Sequence, residues 1–342
     1  MRGKILELLK KKGAGYLSGE EIAHRLGITR AAVWKQVQSL RGDGYAIESR
    51  SKSGYALKSE PKRLLARNIQ DGLQTECLGH ELLVYDAVDS TNEILKKLAM
   101  EGAAEGTVVV AEAQGKGKGR LARAFFSPPF KGLWFSVLLR PPFLPQDAPK
   151  CTFLSAVAVL LAMQRFGLKA GIKWPNDIMA QGKKLVGILT EMHAEMERVE
   201  YIVIGTGINV NIAQEDFPVD IQDKATSLSI LAGEEIPRCA FFQAVLEEMD
   251  KLYLQTLQEG FAPLLALWQK FSLTIGQKVH VIGIGTRPSF YGLATGIDEE
   301  GALLVKKEDG QMTRVLAGDV SIRPQEENAT QKRPATAKNQ EA

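Results

Sequence analysis

A run of alternating glycines and cations is the first feature of this 342-residue chain whose residue types could do chemistry. It reads Gln114-Gly-Lys-Gly-Lys-Gly-Arg120, and an apolar, aromatic stretch follows it up to Ser127. Glycines let the main chain approach a ligand closely and turn its N–H groups toward an anion, and the cations add charge. On these residues alone the run is either an anion-binding loop or a solvated turn, so the rest of the chain must decide.

Further polar clusters punctuate the chain. Asp89-Ser-Thr-Asn92 lies where a predicted strand gives way to a helix, and its hydroxyls either cap that helix, the favoured interpretation, or face a polar ligand. Lys173-Trp-Pro-Asn-Asp177 ends a second strand, with Lys184-Leu-Val-Gly-Ile-Leu189 close behind, and Gly205-Thr-Gly-Ile-Asn-Val-Asn211 ends another. Because polar loops at strand ends are where sites are usually built, these clusters predict one site with cations for phosphate and an Asp for a metal ion.

The elements that must position these clusters are short strands mixed with amphipathic helices. Strands are predicted at 82–88, 107–113, 133–139, 185–190 and 201–204, and helices at 91–100, 153–166, 239–257 and 261–271. Strands and helices do not alternate regularly, no Gly-x-Gly-x-x-Gly follows the first strand, and the phosphate-loop signature is absent. The pattern predicts an α+β domain that binds an anion without a Rossmann fold or a phosphate loop.

The first sixty residues carry a separate signal. They hold 12 Lys and Arg against 6 Asp and Glu, a net charge of +6, so residues 61–342 sum to −3 of the total of +3. Ser18-Gly-Glu-Glu21 has the spacing of a capping box, Gly27 suits a left-handed helix end, and Thr29 can cap a second helix. Two alternating runs within residues 45–57 then predict a hairpin. The combination favours a winged helix-turn-helix over a small helical subunit-contact domain.

Composition excludes several other classes. The chain is 45% apolar and 24% charged, which is typical of a folded protein, and neither a membrane span nor a signal-peptide core is found. Three cysteines and four histidines are widely spaced, so no disulfide framework, zinc site or catalytic triad is predicted, and a reduced, cytoplasmic location is expected. Strands at 277–283, 291–297, 302–306, 312–316 and 320–322 predict a small C-terminal β-barrel, and residues 325–342 predict a disordered tail.

Taken together and in order, these motifs closely resemble those of biotin protein ligases, of the bifunctional kind that also represses a biotin operon. The resemblance covers about residues 5 to 323. It implies a winged helix-turn-helix DNA-binding domain at 1–62, a mixed-sheet catalytic domain at 63–272 similar to class II aminoacyl-tRNA synthetase and biotin ligase cores, an SH3-like barrel at 273–324, and a disordered tail at 325–342.

The resemblance also implies the chemistry. ATP activates biotin to biotinoyl-5′-AMP, and biotin then passes to a lysine of a biotin carboxyl carrier protein. Lys184, Arg120 and Asp177 are the implied catalytic residues. The implied biotin-binding set is Ser90, Thr91, Asn92, Gln114, Lys118, Gly119, Arg120, Lys184 and Gly187. The implied ATP-binding set is Arg120, Arg123, Asn176, Asp177, Lys184 and Asn209. Asp177 either faces a metal ion, with Mg²⁺ expected, or only orders Lys184.

Operator DNA and a homodimer formed in the adenylate-bound state are the remaining implied partners, with biotinoyl-AMP as corepressor and no membrane partner. The residues expected to face DNA are Ser18, Thr29, Arg30, Ala31, Ala32, Trp34, Lys35, Gln38, Arg50 and Lys52. The glycine-basic loop departs from the family pattern at Lys118, Ala122 and Phe125. Two alternatives stay open: a biotin-responsive regulator with a non-catalytic core, and a lipoate-type ligase.

Overall fold

The computed structural model describes residues 1–120, 123–195, 198–283, 288–316 and 320–324. The chain forms two compact units, residues 1–272 and a second unit from Leu273 onward. The predicted tail at 325–342 and the departure at Ala122 lie outside the described residues. In the part of the chain that is described, no helix combines the length and the apolar character that a bilayer crossing requires.

The N-terminal elements form the predicted winged helix-turn-helix. Three helices come first: α1 (Arg2–Lys12), α2 (Gly19–Leu26) and α3 (Arg30–Gly42). An antiparallel hairpin follows, made of β1 (Ala46–Arg50) and β2 (Gly54–Ser59). Helix α1 was not predicted, because no capping side chain marks its start at Met1. Its buried face joins the core of this module, which includes Ile5, Leu9, Ile22, Val33, Val37 and Leu40.

The predicted helix ends are confirmed. The Ser18 hydroxyl accepts a hydrogen bond from the N–H of Glu21 at 3.0 Å, and the Thr29 hydroxyl accepts one from the N–H of Ala32 at 3.1 Å. Gly27 ends α2 in the left-handed region, with φ of 64°. Two hydroxyls expected to face DNA therefore also fix the starts of α2 and α3.

A seven-stranded mixed sheet forms the centre of the first unit, in the order β3-β4-β5-β9-β8-β7-β6. Its strands are β3 (Leu82–Val88), β4 (Val108–Gln114), β5 (Gly132–Leu139), β6 (Gly171–Lys173), β7 (Asp177–Ala180), β8 (Lys183–Glu195) and β9 (Arg198–Asn209). Only the β3–β4 pair is parallel among the described strand pairs of this sheet.

Helices cover the two faces of this sheet unequally. They are α4 (Ala66–Gln70), α5 (Thr91–Met100), α6 (Cys151–Arg165), α7 (Leu228–Ala232), α8 (Arg238–Glu259) and α9 (Ala262–Phe271), with 3₁₀ helices at Pro145–Lys150 and Gln214–Asp216. Helix α5 packs on the face that carries Leu138, and α8 packs on the opposite face, where the rings of Phe135 and Phe242 lie 4.8 Å apart. The α5 face is the one that the polar clusters share.

One sequence interpretation was wrong. Residues 205–209 were expected as a loop after a strand, but they lie inside β9. Glycine is depleted in strands, so the run Gly205-Thr-Gly207 indicated a turn. The strand needs a glycine at 205 for space, because a Cβ there would lie 2.1 Å from Oδ1 of Asn92.

The second unit is one antiparallel sheet in the order β13-β12-β11-β10-β14. Its strands are β10 (Lys278–Gly283), β11 (Phe290–Ile297), β12 (Leu303–Lys307), β13 (Met312–Val315) and β14 (Val320–Pro324). All five agree with the predicted strands to within two residues at each end. Val279, Val281, Ala294, Leu303 and Val305 are buried in it.

The segment that connects the hairpin to the sheet is anchored by a buried ion pair. Arg238, at the start of α8, lies 2.7 Å from Glu112 on β4, and both side chains are at most 5% exposed. Glu112 also accepts a hydrogen bond from the N–H of Leu64, and Arg238 donates to the carbonyl oxygens of Gly132 and Lys62. The expected linker after Pro61 is therefore held against the sheet.

A second polar cluster joins the N-terminal module to the segment after it. Arg2, which is buried, donates to Asp43, to Asp71 at 2.8 Å and to Asn68 at 3.1 Å. Arg67 donates to the same Asp43. The start of α1, through Arg2, and the end of α3, through Asp43, are thus both bonded to residues of α4.

Arg238→Met should lower the free energy of unfolding by about 3–5 kcal/mol, because it leaves the Glu112 carboxylate buried without its counterion. Urea denaturation measures the change. Adding Glu112→Met to the same chain should recover part of the loss. The matched control is Arg165→Met, whose ion pair with Glu247 is half exposed, and which should cost less than about 1 kcal/mol. Equal costs for the two arginines would contradict this account.

Candidate active site and DNA-binding face

Strands β7 and β8 place the two residues at the centre of the site. Nζ of Lys184 lies 2.6 Å from Oδ1 of Asp177, and both side chains are partly exposed. The main chain of Lys184 is fixed as well, because its N–H donates to the carbonyl of Lys224 at 2.7 Å and its carbonyl accepts from Thr226 at 2.9 Å. A cation is thereby held at one position on the α5 face of the sheet.

A second cation reaches the same place from the glycine-basic loop. The Arg120 guanidinium donates to Oδ1 of Asn176 at 3.4 Å, and the amide of Asn176 donates to the carbonyl of Ile188 at 2.6 Å. Burial lowers the pKa of Arg120 from its ordinary value, and the charge of Asp177 opposes this shift. Since an arginine keeps its proton in proteins, the site has two fixed positive charges. The three residues implied as catalytic therefore come together.

Beside these charges the sheet has a floor without side chains. Gly187 on β8 pairs with Gly207 on β9, Asp177 pairs with Gly187 on one side, and Trp134 pairs with Gly207 on the other. The ring of Phe125 covers this floor, since a Cβ at Gly187 or Gly207 would lie 2.7 Å or 2.5 Å from it. Phe125 also packs edge-on against Trp134, with ring centroids 5.9 Å apart.

The glycine-basic loop folds back on itself between Gly117 and Phe125. The N–H of Phe125 donates to the carbonyl of Gly117 at 2.8 Å, and the N–H of Gly119 donates to Arg123 at 2.7 Å. Gly117 is needed for this close approach, because a Cβ there would lie 2.8 Å from the carbonyl oxygen of Phe125. The side chain of Arg123 is exposed beside the loop.

Both lysines of the loop are paired with acidic residues at the start of α5. Lys116 lies 2.9 Å from Asp89, and Lys118 lies 3.1 Å from Glu93. Lys96 and Lys118 together hold the pKa of Glu93 below its usual range. Lys118, which the resemblance assigns to biotin, therefore contacts α5 in this structure.

A hydrogen-bonded network links the loop to the sheet. Oε1 of Gln114 accepts from the N–H of Thr91 at 2.9 Å, and the Ser136 hydroxyl lies 2.7 Å from that of Thr91 and 2.6 Å from Oδ1 of Asn92. The amide of Asn92 donates to Glu191 on β8 at 2.7 Å. Thr91 and Gln114 thus meet, whereas Asn92 joins α5 to β5 and β8.

The favoured capping interpretation is wrong for Ser90. Ser90 is the N-cap residue of α5, but its buried side chain makes no capping hydrogen bond. The first donor of the helix, the N–H of Thr91, is bonded to Gln114 instead. The Asp89 side chain is engaged by Lys116, so neither of these two residues caps the helix.

Asn209, at the end of β9, donates to the carbonyl of Thr226 at 3.0 Å and is buried. It thereby fixes the segment that also contacts Lys184. Residues 212–225, which precede Thr226 in the chain, contribute Ile212, Phe217 and Ala225 to a buried cluster with Trp134. Among the described residues there is no group of three or more His, Cys, Asp and Glu that could hold a metal ion.

Sequence reasoning missed several residues of the site. Gly207 belongs to the floor and Trp134 borders it, Glu93 binds the loop residue Lys118, and Glu191 binds Asn92. Only the Gly205-Thr-Gly207 run gave a local signal, because paired glycines in a strand indicate a surface kept free of side chains. The other three contacts join residues far apart in the chain.

The DNA-binding face expected from the sequence is largely exposed on α3. Arg30, Ala31, Trp34 and Lys35 are exposed, and Ala32 and Gln38 are half-buried. The Gln38 amide oxygen can accept from Nε1 of Trp34 at 3.3 Å and from Arg41 at 3.1 Å. Arg41 in turn donates to the carbonyl of Ile47 on β1, so helix and wing are linked. Lys52, at the hairpin tip, has a positive φ of 64°.

Three family matches cover most of the chain. Residues 2–56 match the HTH domain family, residues 84–209 match the Biotin/lipoate A/B protein ligase family, and residues 274–323 match the Biotin protein ligase C terminal domain family. Each match falls on one of the parts already described: the winged module, the central sheet and the C-terminal sheet.

Curated relatives match along nearly the whole length. The chain is 40% identical to the bifunctional ligase/repressor BirA of Bacillus spizizenii over 94% of this chain and 98% of that protein. It is 32% identical to the bifunctional ligase/repressor BirA of Escherichia coli over 94% of this chain and 97% of that protein. Among solved structures, the biotin protein ligase from Aquifex aeolicus in complex with biotin and ATP is 29% identical, with a TM-score of 0.62 over 72% of this chain and all of that one. The chain therefore belongs to the biotin protein ligase family, in its bifunctional ligase/repressor form with an N-terminal helix-turn-helix domain.

Proposed function

We propose that this protein activates biotin with ATP to biotinoyl-5′-AMP and transfers the biotin to a lysine of a biotin carboxyl carrier protein. The observation that carries the proposal is the meeting of Lys184, Asp177 and Arg120 beside a floor of paired glycines. The relatives named as ligase and repressor, and the Aquifex ligase with bound biotin and ATP, support the choice of substrates.

The first step brings two anions together. A carboxylate oxygen of biotin attacks the α-phosphorus of ATP, the bond from that phosphorus to the bridging oxygen breaks, and pyrophosphate leaves. Lys184 neutralises charge between the carboxylate and the α-phosphate, and its ion pair with Asp177 fixes where that charge stands. Preorganised cations of this kind are worth most in a site from which water is excluded.

Arg120 binds the phosphate of the mixed anhydride, because its planar fork suits phosphate oxygens. The loop of Gly115–Gly119 brings main-chain N–H groups to the same anion, and Arg123, Asn176 and Asn209 complete the nucleotide side. In the second step the amine of the carrier lysine attacks the acyl carbon and loses a proton, and AMP leaves. A closed loop keeps water from the anhydride until then.

The biotin head lies against the network of Ser90, Thr91 and Gln114, whose hydroxyl and amide groups match a polar ring. Asn92, Lys118 and Gly119 belong to the same proposed set. Gly187 leaves room for the ligand, and the ring of Phe125 has to move from the floor when a ligand takes its place. This movement of one side chain is part of the proposal.

Mg²⁺ belongs to the proposal as the ion that accompanies ATP. A single carboxylate, Asp177, is available beside Lys184, and this fits an ion that is held mainly by phosphates and water. When bound, the ion supplies positive charge to the phosphates of ATP. Asp177 orients Lys184 whether or not it also contacts the ion.

The N-terminal module serves repression. Residues 1–62 bind operator DNA through α3 and the wing, residues 63–272 are the ligase, and residues 273–324 are an SH3-like domain. Biotinoyl-AMP acts as corepressor and favours a homodimer that matches a two-fold operator. The proposed location is the cytoplasm, where ATP, carrier protein and operator are all available.

The purified chain should catalyse ATP–pyrophosphate exchange when biotin is present, and lipoate should not replace biotin. The physical reason is that the first step is reversible on the enzyme and depends on a carboxylate seated beside Lys184. Exchange of labelled pyrophosphate into ATP measures it directly. Exchange supported by lipoate and not by biotin would contradict the choice of substrate.

The variant for this assay is Lys184→Ala, which should reduce exchange by about a hundredfold or more, since it removes one fixed charge from the transition state. Lys183→Ala is the matched control, because the neighbouring side chain points to the other side of β8. Undiminished exchange by Lys184→Ala would remove the lysine from the mechanism.

Arg120→Gly should release biotinoyl-AMP about tenfold faster or more, because the bidentate contact to its phosphate is lost. The released anhydride then labels exposed lysines of any protein. The measurement is the amount of biotin attached to an added bystander protein, such as serum albumin, compared with the amount attached to the carrier domain in the same reaction. The idea fails if the variant labels only the carrier and releases no free adenylate.

Deletion of residues 1–60 should abolish binding to operator DNA and retain most of the biotin-dependent exchange. The deletion removes α1 to β2, whereas every residue of the proposed ligase site lies beyond residue 88. A gel shift on DNA from upstream of the biotin genes is the measurement. A shift that survives the deletion would place DNA binding elsewhere in the chain.

A further inference from the structure

The solvent face of the wing has an organisation that the helix-turn-helix motif does not account for. Leu17 and Tyr55 exchange two main-chain hydrogen bonds of 2.9 Å, so the segment before α2 forms an isolated antiparallel β-bridge with β2. Glu48 on β1 pairs with Ala56 on β2. In the antiparallel register of this bridge, Tyr16 lies opposite Ala56, so Tyr16, Ala56 and Glu48 form a row across this segment and the two strands of the hairpin.

Two cations lie over the ring of Tyr16. The guanidinium carbon of Arg50 is 4.9 Å from the ring centroid, and Nζ of Lys58 is 5.4 Å from it. Arg50 pairs with Gly54 across the hairpin. Because Gly54 has no side chain, no side chain of the paired residue separates Arg50 from the ring of Tyr16. Such cation–π contacts hold a charged group over a ring without neutralising its charge.

Glu48 completes the group from the other side. Its carboxylate lies 3.1 Å from Nζ of Lys58 and 3.9 Å from the guanidinium of Arg50. Its hydrogen bond with the Tyr16 hydroxyl raises the pKa of Tyr16 and, together with Lys58, holds the pKa of Glu48 below its usual range. One carboxylate and one ring therefore define the positions of two cations.

The fold does not need these cations. The opposite face of the hairpin supplies Ile47, Tyr55 and Leu57 to the core of the module. The side chains of Arg50 and Lys58 are 63% and 47% exposed, so their charged ends face water. A pair of exposed cations in a module of net charge +6 fits an anionic polymer better than an isolated ion.

We propose that Tyr16 is a positioning residue that holds Arg50 and Lys58 as a phosphate-binding pair on the wing. The inference rests on the proposed DNA-binding function and deepens it, because neither Tyr16 nor Lys58 belongs to the residues expected from the helix-turn-helix pattern. Long cationic side chains lose rotamer freedom when they bind, and a ring that already restrains them reduces that loss. The pair contacts the DNA backbone and carries no sequence information.

Fluorescence anisotropy of a labelled 30-base-pair duplex of mixed sequence tests this, because phosphate contacts do not depend on the operator. Arg50→Ala and Lys58→Ala should each weaken binding about three- to tenfold at low salt and reduce the slope of log affinity against log salt by about one. Tyr16→Leu should weaken binding about threefold. Tyr16→Phe, which keeps the ring, should bind within about twofold of the wild type.

A double-mutant cycle separates positioning from a general effect on the fold. In a chain that already carries Arg50→Ala and Lys58→Ala, Tyr16→Leu should have little further effect on affinity, because nothing is left to position. The matched control is Lys251→Ala, which removes one exposed cation on α8 and should leave binding unchanged. Thermal unfolding and biotin-dependent exchange verify that each variant is folded.

The outcomes are distinguishable. If the wild type does not bind the duplex at low salt, the proposed DNA-binding function falls and this inference falls with it. If the wild type binds but Tyr16→Leu acts additively with the two alanine changes, Tyr16 does not position them. If Arg50→Ala and Lys58→Ala keep the full salt dependence, the pair does not contact phosphate.

Discussion

A carboxylate and a nucleotide phosphate repel each other, and in the proposed mechanism one lysine held by one aspartate offsets this repulsion. The 2.6 Å ion pair of Lys184 and Asp177 joins two adjacent strands, so the charge stands on the rigid part of the domain. The remaining features surround that position: helices α6, α8 and α9 pack on the opposite face of the sheet, the paired glycines leave room beside it for the ring of Phe125, and the loop brings Arg120 to it. A lysine on a flexible loop would have to be ordered in each cycle, and part of its electrostatic advantage would be lost.

Side chains of the protein itself occupy the positions that the proposed ligand would take. The ring of Phe125 covers Gly187 and Gly207, and the loop lysines are paired with Asp89 and Glu93. These ion pairs are exposed and therefore weak, so a ligand that offers an anion and an apolar ring can replace them. The loop thus has an ordered arrangement of its own, and in the proposed mechanism ligand binding exchanges one set of contacts for another.

The sequence predicted most of the elements from local signals, such as the caps at Ser18 and Thr29 that mark α2 and α3. The family resemblance implied that Lys184, Arg120 and Asp177 act together, and the β7–β8 hairpin brings Lys184 and Asp177 into contact. Contacts between distant segments could not be predicted. Asn92 binds Glu191, 99 residues away, and Glu112 binds Arg238, 126 residues away, because strand order decides these partners. Glycines in β9 were misread as a turn, because strand propensity does not register the space that Asn92 occupies over Gly205 and the Phe125 ring occupies over Gly207.

The two functions of the chain also share a physical connection. Arg2, at the very start of the N-terminal module, is buried between Asp43 and the α4 segment, where it contacts Asn68 and Asp71. The side chains of Lys62 and Arg63 are exposed, but the main chain is held on both sides of them, because the carbonyl of Lys62 accepts from Arg238 and the N–H of Leu64 donates to Glu112. Cleavage there would break the polypeptide, but the contacts of Arg2 with Asn68 and Asp71 and of Arg67 with Asp43 would still join the two fragments.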